Sequence, residues 1–94
     1  MTVLLKDPDS VLDYAVDWGS EYLDVDEIVT QSSWLVEPLE DSGLTVLASA
    51  FDSKIATVTA SGGVAGHIYQ LTNHVGLASG LTDSRSVTLR VERR

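Results

Sequence analysis

Between residues 61 and 91 the chain runs as two stretches in which polar and apolar residues alternate, and this pattern narrows the possible folds more than any other feature. The first stretch includes Ile68-Tyr69-Gln70-Leu71-Thr72-Asn73-His74-Val75, and the second is Arg85-Ser86-Val87-Thr88-Leu89-Arg90-Val91, with a Gly/Ser-rich turn between them. A period of two sends successive side chains to opposite faces, which is what a half-buried antiparallel hairpin requires. Tyr69, Leu71 and Val75 share one face, and Val87, Leu89 and Val91 share the facing one.

The preceding residues read the same way. In Val11-Leu12-Asp13-Tyr14-Ala15-Val16-Asp17-Trp18, the residues Leu12, Tyr14, Val16 and Trp18 fall on one face and bring aromatic weight to a core. Residues 19–26 read as a turn with a short helical turn at 20–23. A second strand spans 28–36, where Ile28, Thr30, Ser32, Trp34 and Val36 alternate with Val29, Gln31, Ser33 and Leu35 and Trp34 is the core anchor. Residues 37–43, with Pro38 and Gly43, form a connection. A short strand covers 44–48 and a turn 49–53, and a further strand covers 55–60 with Ala56, Val58 and Ala60 inward. Pro8 cannot donate to a ladder, so residues 1–10 are an edge segment or an extended arm. Six or seven short strands at regular spacing, with no long amphipathic helix, predict an all-β antiparallel β-sandwich of about seven strands with Greek-key connections, in one domain over residues 1–94. Tyr69, three residues after Gly66, is placed to hydrogen-bond back across a corner as such sandwiches often do.

Composition removes several chemistries. With no cysteine there is no disulfide, thiolate zinc site or thiol nucleophile. The first residues lack a basic start followed by an apolar run of signal-peptide length, and no apolar stretch approaches the ~20 residues that span a bilayer, so a soluble protein without membrane contact is expected. The net charge of −8 is uneven: through Asp41 there are 11 acids against Lys6 alone, and from Ser42 onward there are 3 acids against Lys54, Arg85, Arg90, Arg93 and Arg94. Nucleic acid is a poor partner for such a chain, because phosphate contact depends on clustered cations. Surface carboxylates keeping the chain soluble is the plain reading; head-to-tail association of acidic and basic surfaces is the sharper one.

No constellation of catalytic or ligating residues stands out, so no catalytic, cofactor or metal site is assigned and an enzyme is not expected. Gly62-Gly63-Val64-Ala65-Gly66 is followed by a strand, not by the helix whose N–H groups hold phosphate in the glycine-rich motifs. His67 and His74 would face opposite ways on a continuous strand; a bulge, hinted at by Asn73 on the inner face, would reunite them, but two surface histidines are the simpler reading. Asp13 and Asp17 point the same way about 13 Å apart, too far for a glycosidase pair. Asp24, Asp26 and Glu27 could meet Asp7 and Asp9 at one pole and hold calcium, against the plainer reading of a solvated acidic loop. Gly76-Leu77-Ala78-Ser79-Gly80 has the wrong spacing for a nucleophile elbow.

Several residues taken in order carry a family likeness: Lys6-Asp7-Pro8-Asp9, Leu12-Asp13-Tyr14, Asp17-Trp18, the stretch from Asp26 to Ile28, Ser32-Ser33-Trp34, Gly62-Gly63-x-x-Gly66, Tyr69-x-Leu71-Thr72-Asn73 and Asp83-Ser84-Arg85-Ser86-x-Thr88-Leu89-Arg90-Val91. From about Lys6 to Val91 the chain resembles small virion structural proteins of tailed bacteriophages and prophages, some of them fibre–tail adaptors. Where that family often has a Gly-Asp-Thr turn, this chain has Val25-Asp26-Glu27, so nothing is carried over at that loop. The resemblance implies a non-enzymatic immunoglobulin-like module in the tail or neck, touching other phage structural proteins, in several copies around a ring within a virion assembled in the host cytoplasm. The alternatives are a carbohydrate- or host-surface-binding sandwich using exposed tyrosines or His67 and His74, a calcium-dependent adhesion module, and a head–tail connector or decoration protein. Under the adaptor reading, polarity points to residues 7–9, 19–27 or 90–94 as docking surfaces.

Overall fold

The computed structural model describes residues 3–21 and 26–93. The elements are β1 (Val3–Lys6), β2 (Val11–Asp17), α1 (Trp18–Glu21), β3 (Val29–Glu37), β4 (Leu44–Phe51), β5 (Ile55–Gly62), β6 (Ile68–Leu77) and β7 (Thr82–Val91). They form two sheets, one in the order β1-β7-β6-β3 and the other β2-β5-β4. Only β4–β5 and β6–β7 are hairpins within a sheet; every other connection passes from one sheet to the other. This is the all-β, seven-stranded, immunoglobulin-like sandwich that the alternation requires.

The inner faces follow the period-two pattern. Tyr69, Leu71 and Val75 of β6 are fully buried, as are Leu89 and Val91 of β7. Tyr69 pairs with Leu89 and Leu71 with Val87, so the two apolar sets of the hairpin lie side by side on one inner face. Opposite them β5 presents Ala56, Val58 and Ala60, whose small side chains let the sheets approach. One core cluster joins Val36, Leu44, Val58, Ala60, Tyr69, Leu71, Leu89 and Val91, and a second joins Val16, Trp18, Val29, Ala56 and Val75. Trp34 is half-buried and packs against both, which makes it the bridge between them.

Three local expectations change, and two open alternatives are decided. Val3–Lys6 is no free arm: it is an edge strand in parallel register with Thr88 to Val91 of β7, so the sandwich is antiparallel except at this pair. Trp18 begins helix α1 instead of ending a strand, yet its indole is 1% exposed, and the expected helical turn at 20–23 begins two residues earlier, with 22–25 outside the described residues. A bulge between Val29 and Gln31 reverses parity at the start of β3, so Val29 is buried while Thr30 is exposed. Residues 49–51 continue β4 instead of turning, and the turn to β5 is left to residues 52–54. β6 carries no bulge before His74, since its register with β7 is unbroken from Ile68 to Gly76.

Candidate docking surfaces and the polar groups behind them

Lys6, Asn73 and Tyr69 carry polar groups into the interior, and each fixes a different part of the scaffold. Lys6 is fully buried, and its Nζ donates to the carbonyls of Asp7 (3.0 Å), Ser10 (2.7 Å) and Gly62 (2.8 Å). Burial pushes its pKa down, and the charges of Asp7 and Asp9 partly oppose that shift. Sequence reasoning missed this role, because Lys6 looked like the polar end of an apolar run. Its inward parity in Leu4-Leu5-Lys6 was the available signal.

Asn73 is the second. Its Oδ1 accepts the indole N–H of Trp18 at 2.8 Å, and its Nδ2 donates to Ser32 Oγ at 2.9 Å and to the Ser33 carbonyl at 3.0 Å. An inward asparagine thus needs no bulge to explain it, since its amide is matched to three partners.

The third is Tyr69, and here the corner expectation holds. The connection from β5 to β6 is built on Gly62, Gly63 and Gly66, all at positive φ. At Gly63 a Cβ would also stand 2.6 Å from a Val91 methyl, so only glycine fits. The Tyr69 hydroxyl accepts the Val64 N–H at 2.9 Å and donates to Glu40 Oε1. His67 Nδ1 lies 2.8 Å from the same oxygen. The Tyr69 bond, then the His67 bond, hold the Glu40 carboxyl below its usual range. Burial, reinforced by Glu40, raises the Tyr69 phenol. The five glycine-rich residues are therefore a structural corner that leads into a strand.

The histidines do not meet. His67 sits at the corner and His74 faces outward on β6, both exposed, and seven residues of extended chain separate them by about 23 Å. Asp7 and Glu27 are likewise at opposite ends of the sandwich. Asp7 closes the β1–β2 turn, where Lys6 reaches Gly62 at the end of β5. Glu27 accepts the Ser79 N–H, and its carbonyl accepts Lys54 Nζ just before β5 begins. The pole at which these acids were to gather for calcium does not form, and no group of three ligating side chains occurs among the described residues; Asp24 lies outside them.

Of the docking surfaces expected, two are joined to each other. Arg93 donates to Asp9 Oδ2 at 3.0 Å, and Arg90 pairs with Glu92 at 2.6 Å, so both of these arginines are matched within the chain. Residues 22–25 and 94 lie outside the described set, so only the flanks of the third surface are visible. On the outer face of the three-stranded sheet Asp13 and Asp17 are exposed; Asp13 Oδ1 accepts Thr59 Oγ1 at 2.6 Å and Asp17 Oδ1 accepts the Ser20 N–H at 3.1 Å. Beside Asp13 an open trough of about 220 Å³ is lined by Ala48, Ser49, Ala50, Thr57 and Thr59. Among the described aromatic side chains only Phe51, 44% exposed, is strongly presented to solvent, while Trp18 and Tyr69 are buried. That leaves little for stacking on sugar.

Two filled sheets, a tyrosine corner and a connection from the edge strand β1 into the second sheet define an immunoglobulin-like sandwich. The solution structure of the PKD domain from KIAA 1837 protein superposes with a TM-score of 0.55 at 22% identity, covering 98% of this chain and 79% of that one, a likeness of fold alone. The sequence profile of the family described as podophage GP4 fiber-tail adaptor protein gp77 matches residues 6–90, and the chain belongs to that family. No curated protein matches it by sequence.

Proposed function

We propose that this chain is a non-catalytic virion component that joins a tail fibre to the tail of a podophage-type particle. The match to the fibre–tail adaptor family over residues 6–90 is the observation that carries the reading. The geometry is consistent with it: side chains fill the space between the sheets, and what the fold offers a partner is edges, loops and outer faces. A standard interface takes about 800 Å² from each protein. Two partners would therefore cover roughly 1,600 Å² of the 5612 Å² accessible here, more than a quarter of the surface, so the two contacts must lie on different sides of the sandwich. Assembly in several copies around the tail, in host cytoplasm before release, is part of the same reading.

The test is reconstitution. The purified chain is mixed with the fibre and tail proteins of the same virus, singly and together, and the products are followed by sedimentation velocity. A three-protein complex that forms only when the chain is present is the expected result. A chain that sediments alone in every mixture would remove the reading.

A further inference from the structure

The sandwich has four edge strands, and three of them are protected against further pairing. β1 is four residues long, turns Lys6 inward and is followed by Pro8. β2 carries Asp13 and Asp17 outward. β3 begins with a bulge and ends in Glu37. These are the devices by which sheet edges avoid pairing with another chain. β4 is the exception. It is eight residues, Leu44-Thr45-Val46-Leu47-Ala48-Ser49-Ala50-Phe51, with neither a charge nor a proline, and it pairs only with β5. Its bulge lies between Val46 and Ala48, so the remainder, Ala48 to Phe51, is in regular register. Leu47 and Phe51 are 59% and 44% exposed.

Resting on the adaptor reading, we propose that β4 is a docking edge which takes an extended segment of another virion protein as an added strand, and that this segment carries lysine or arginine. Main-chain bonds to the edge would supply affinity, and side chains alternating to the two faces would supply selectivity. On the outer face the trough crosses β4 and β5, about 10 Å of sheet, over a floor of Ala48, Ala50 and Thr57. Only long side chains extend across such a width. At its far wall stands Asp13, whose Oδ1 is held by Thr59 and whose Oδ2 is bonded to nothing among the described residues. Asp17 is exposed on the same face, while Lys54, just before β5, turns its Nζ to the Glu27 carbonyl. Charge therefore selects a basic occupant. It also argues against a second copy of this chain, because among the described residues none of the four edge strands carries an exposed cation.

Hydrogen exchange on the reconstituted complex with fibre and tail proteins, read against the free chain, tests this together with three variants. The expected result is exchange slowed at residues 47–51 on complex formation, with Asp13→Lys and Ala50→Lys each weakening that contact at least tenfold. Asp83→Lys, on the other sheet, should stay within twofold, and all three should melt as cooperatively as the wild type. A complex that forms with β4 exchange unchanged would overturn the proposal and leave the adaptor reading standing. So would protection of β4 in the free chain that grows with its own concentration, which would make the occupant a second copy. Protection of β4 that Asp13→Lys does not weaken would refute the basic occupant. If the wild type binds neither protein, the adaptor reading fails and this inference goes with it.

Discussion

Replacing Asn73 by leucine tests whether the polar node between the sheets matters more than the apolar packing around it. Leucine has the branching and heavy-atom count of asparagine and is far better buried, so a purely hydrophobic account predicts a gain of about 1.5–3 kcal/mol at this fully buried site. The structure predicts the opposite sign. Removing the amide leaves the Trp18 indole N–H and the Ser33 carbonyl without this partner, the former in a residue 1% exposed, at about 1–3 kcal/mol each. The Ser32 hydroxyl loses about 1 kcal/mol more. The net is a destabilisation of about 2–3 kcal/mol, a large share of the roughly 5–14 kcal/mol available to a domain of this length. Urea unfolding followed by tryptophan fluorescence reads it directly. A cycle with Trp18→Phe, which removes the donor while keeping a ring, should show that the two substitutions cost about 1–2 kcal/mol less together than separately. An Asn73→Leu variant as stable as wild type, or a cycle additive to within about 0.5 kcal/mol, would refute the argument.

Three further outcomes follow from the other polar groups. Lys6→Met should lose about 2–4 kcal/mol by urea unfolding, because Ser10 and Gly62 lose a charged donor inside the fold; a more stable variant would mean that desolvating the ammonium outweighs its three bonds. Tyr69→Phe should cost about 1–3 kcal/mol with a faster-exchanging Val64 amide, since that N–H loses its acceptor; unchanged Val64 exchange would sink it. Glu40 has a depressed carboxyl in the folded chain, so its contribution is complete above the pH where a free glutamate titrates and is lost as pH falls through the lower, folded value. Melting curves of wild type and Glu40→Gln should therefore converge as the pH is lowered into the acid range, and a gap that widens there would contradict the assignment.

What could be read from the residues was whatever depends on neighbours in sequence. Alternation fixes which side chains of β5, β6 and β7 face inward, and it failed in β3 where an extra residue at Thr30 broke the period. The end of β4 escaped notice because Ala48-Ser49-Ala50 has weak strand preference, and its pairing with β5 decides the matter. The buried polar nodes depend on partners far along the chain: Lys6 with Gly62, Trp18 with Asn73, Tyr69 with Glu40. No local pattern announces such pairs. Tyr69 was the exception because its acceptor role is short-range, reaching Val64 five residues upstream. The edge position of β4 was illegible for a related reason, since being at an edge is a property of sheet order and not of the strand itself.

Under the adaptor reading, these nodes explain how so small a sandwich would hold its shape between partners. Apolar layers resist separation, but contact between them is non-directional and sets sliding or rotation only weakly. Each polar node adds direction. Lys6 on β1 holds the carbonyl of Gly62 in the opposite sheet, Asn73 on β6 holds the helix that follows β2, and Tyr69 holds both the β5–β6 corner and the β3–β4 connection. With both ends of the sandwich pinned from within and no disulfide available, neither outer face is needed to fix the relation of the sheets. The outer surface is then left for other contacts: three edges guarded, one left plain, and exposed carboxylates remaining once Arg90 and Arg93 have paired inside the chain. A rigid body with one unguarded edge is directional by construction, because the order of strands in the sheet decides where a second chain can add.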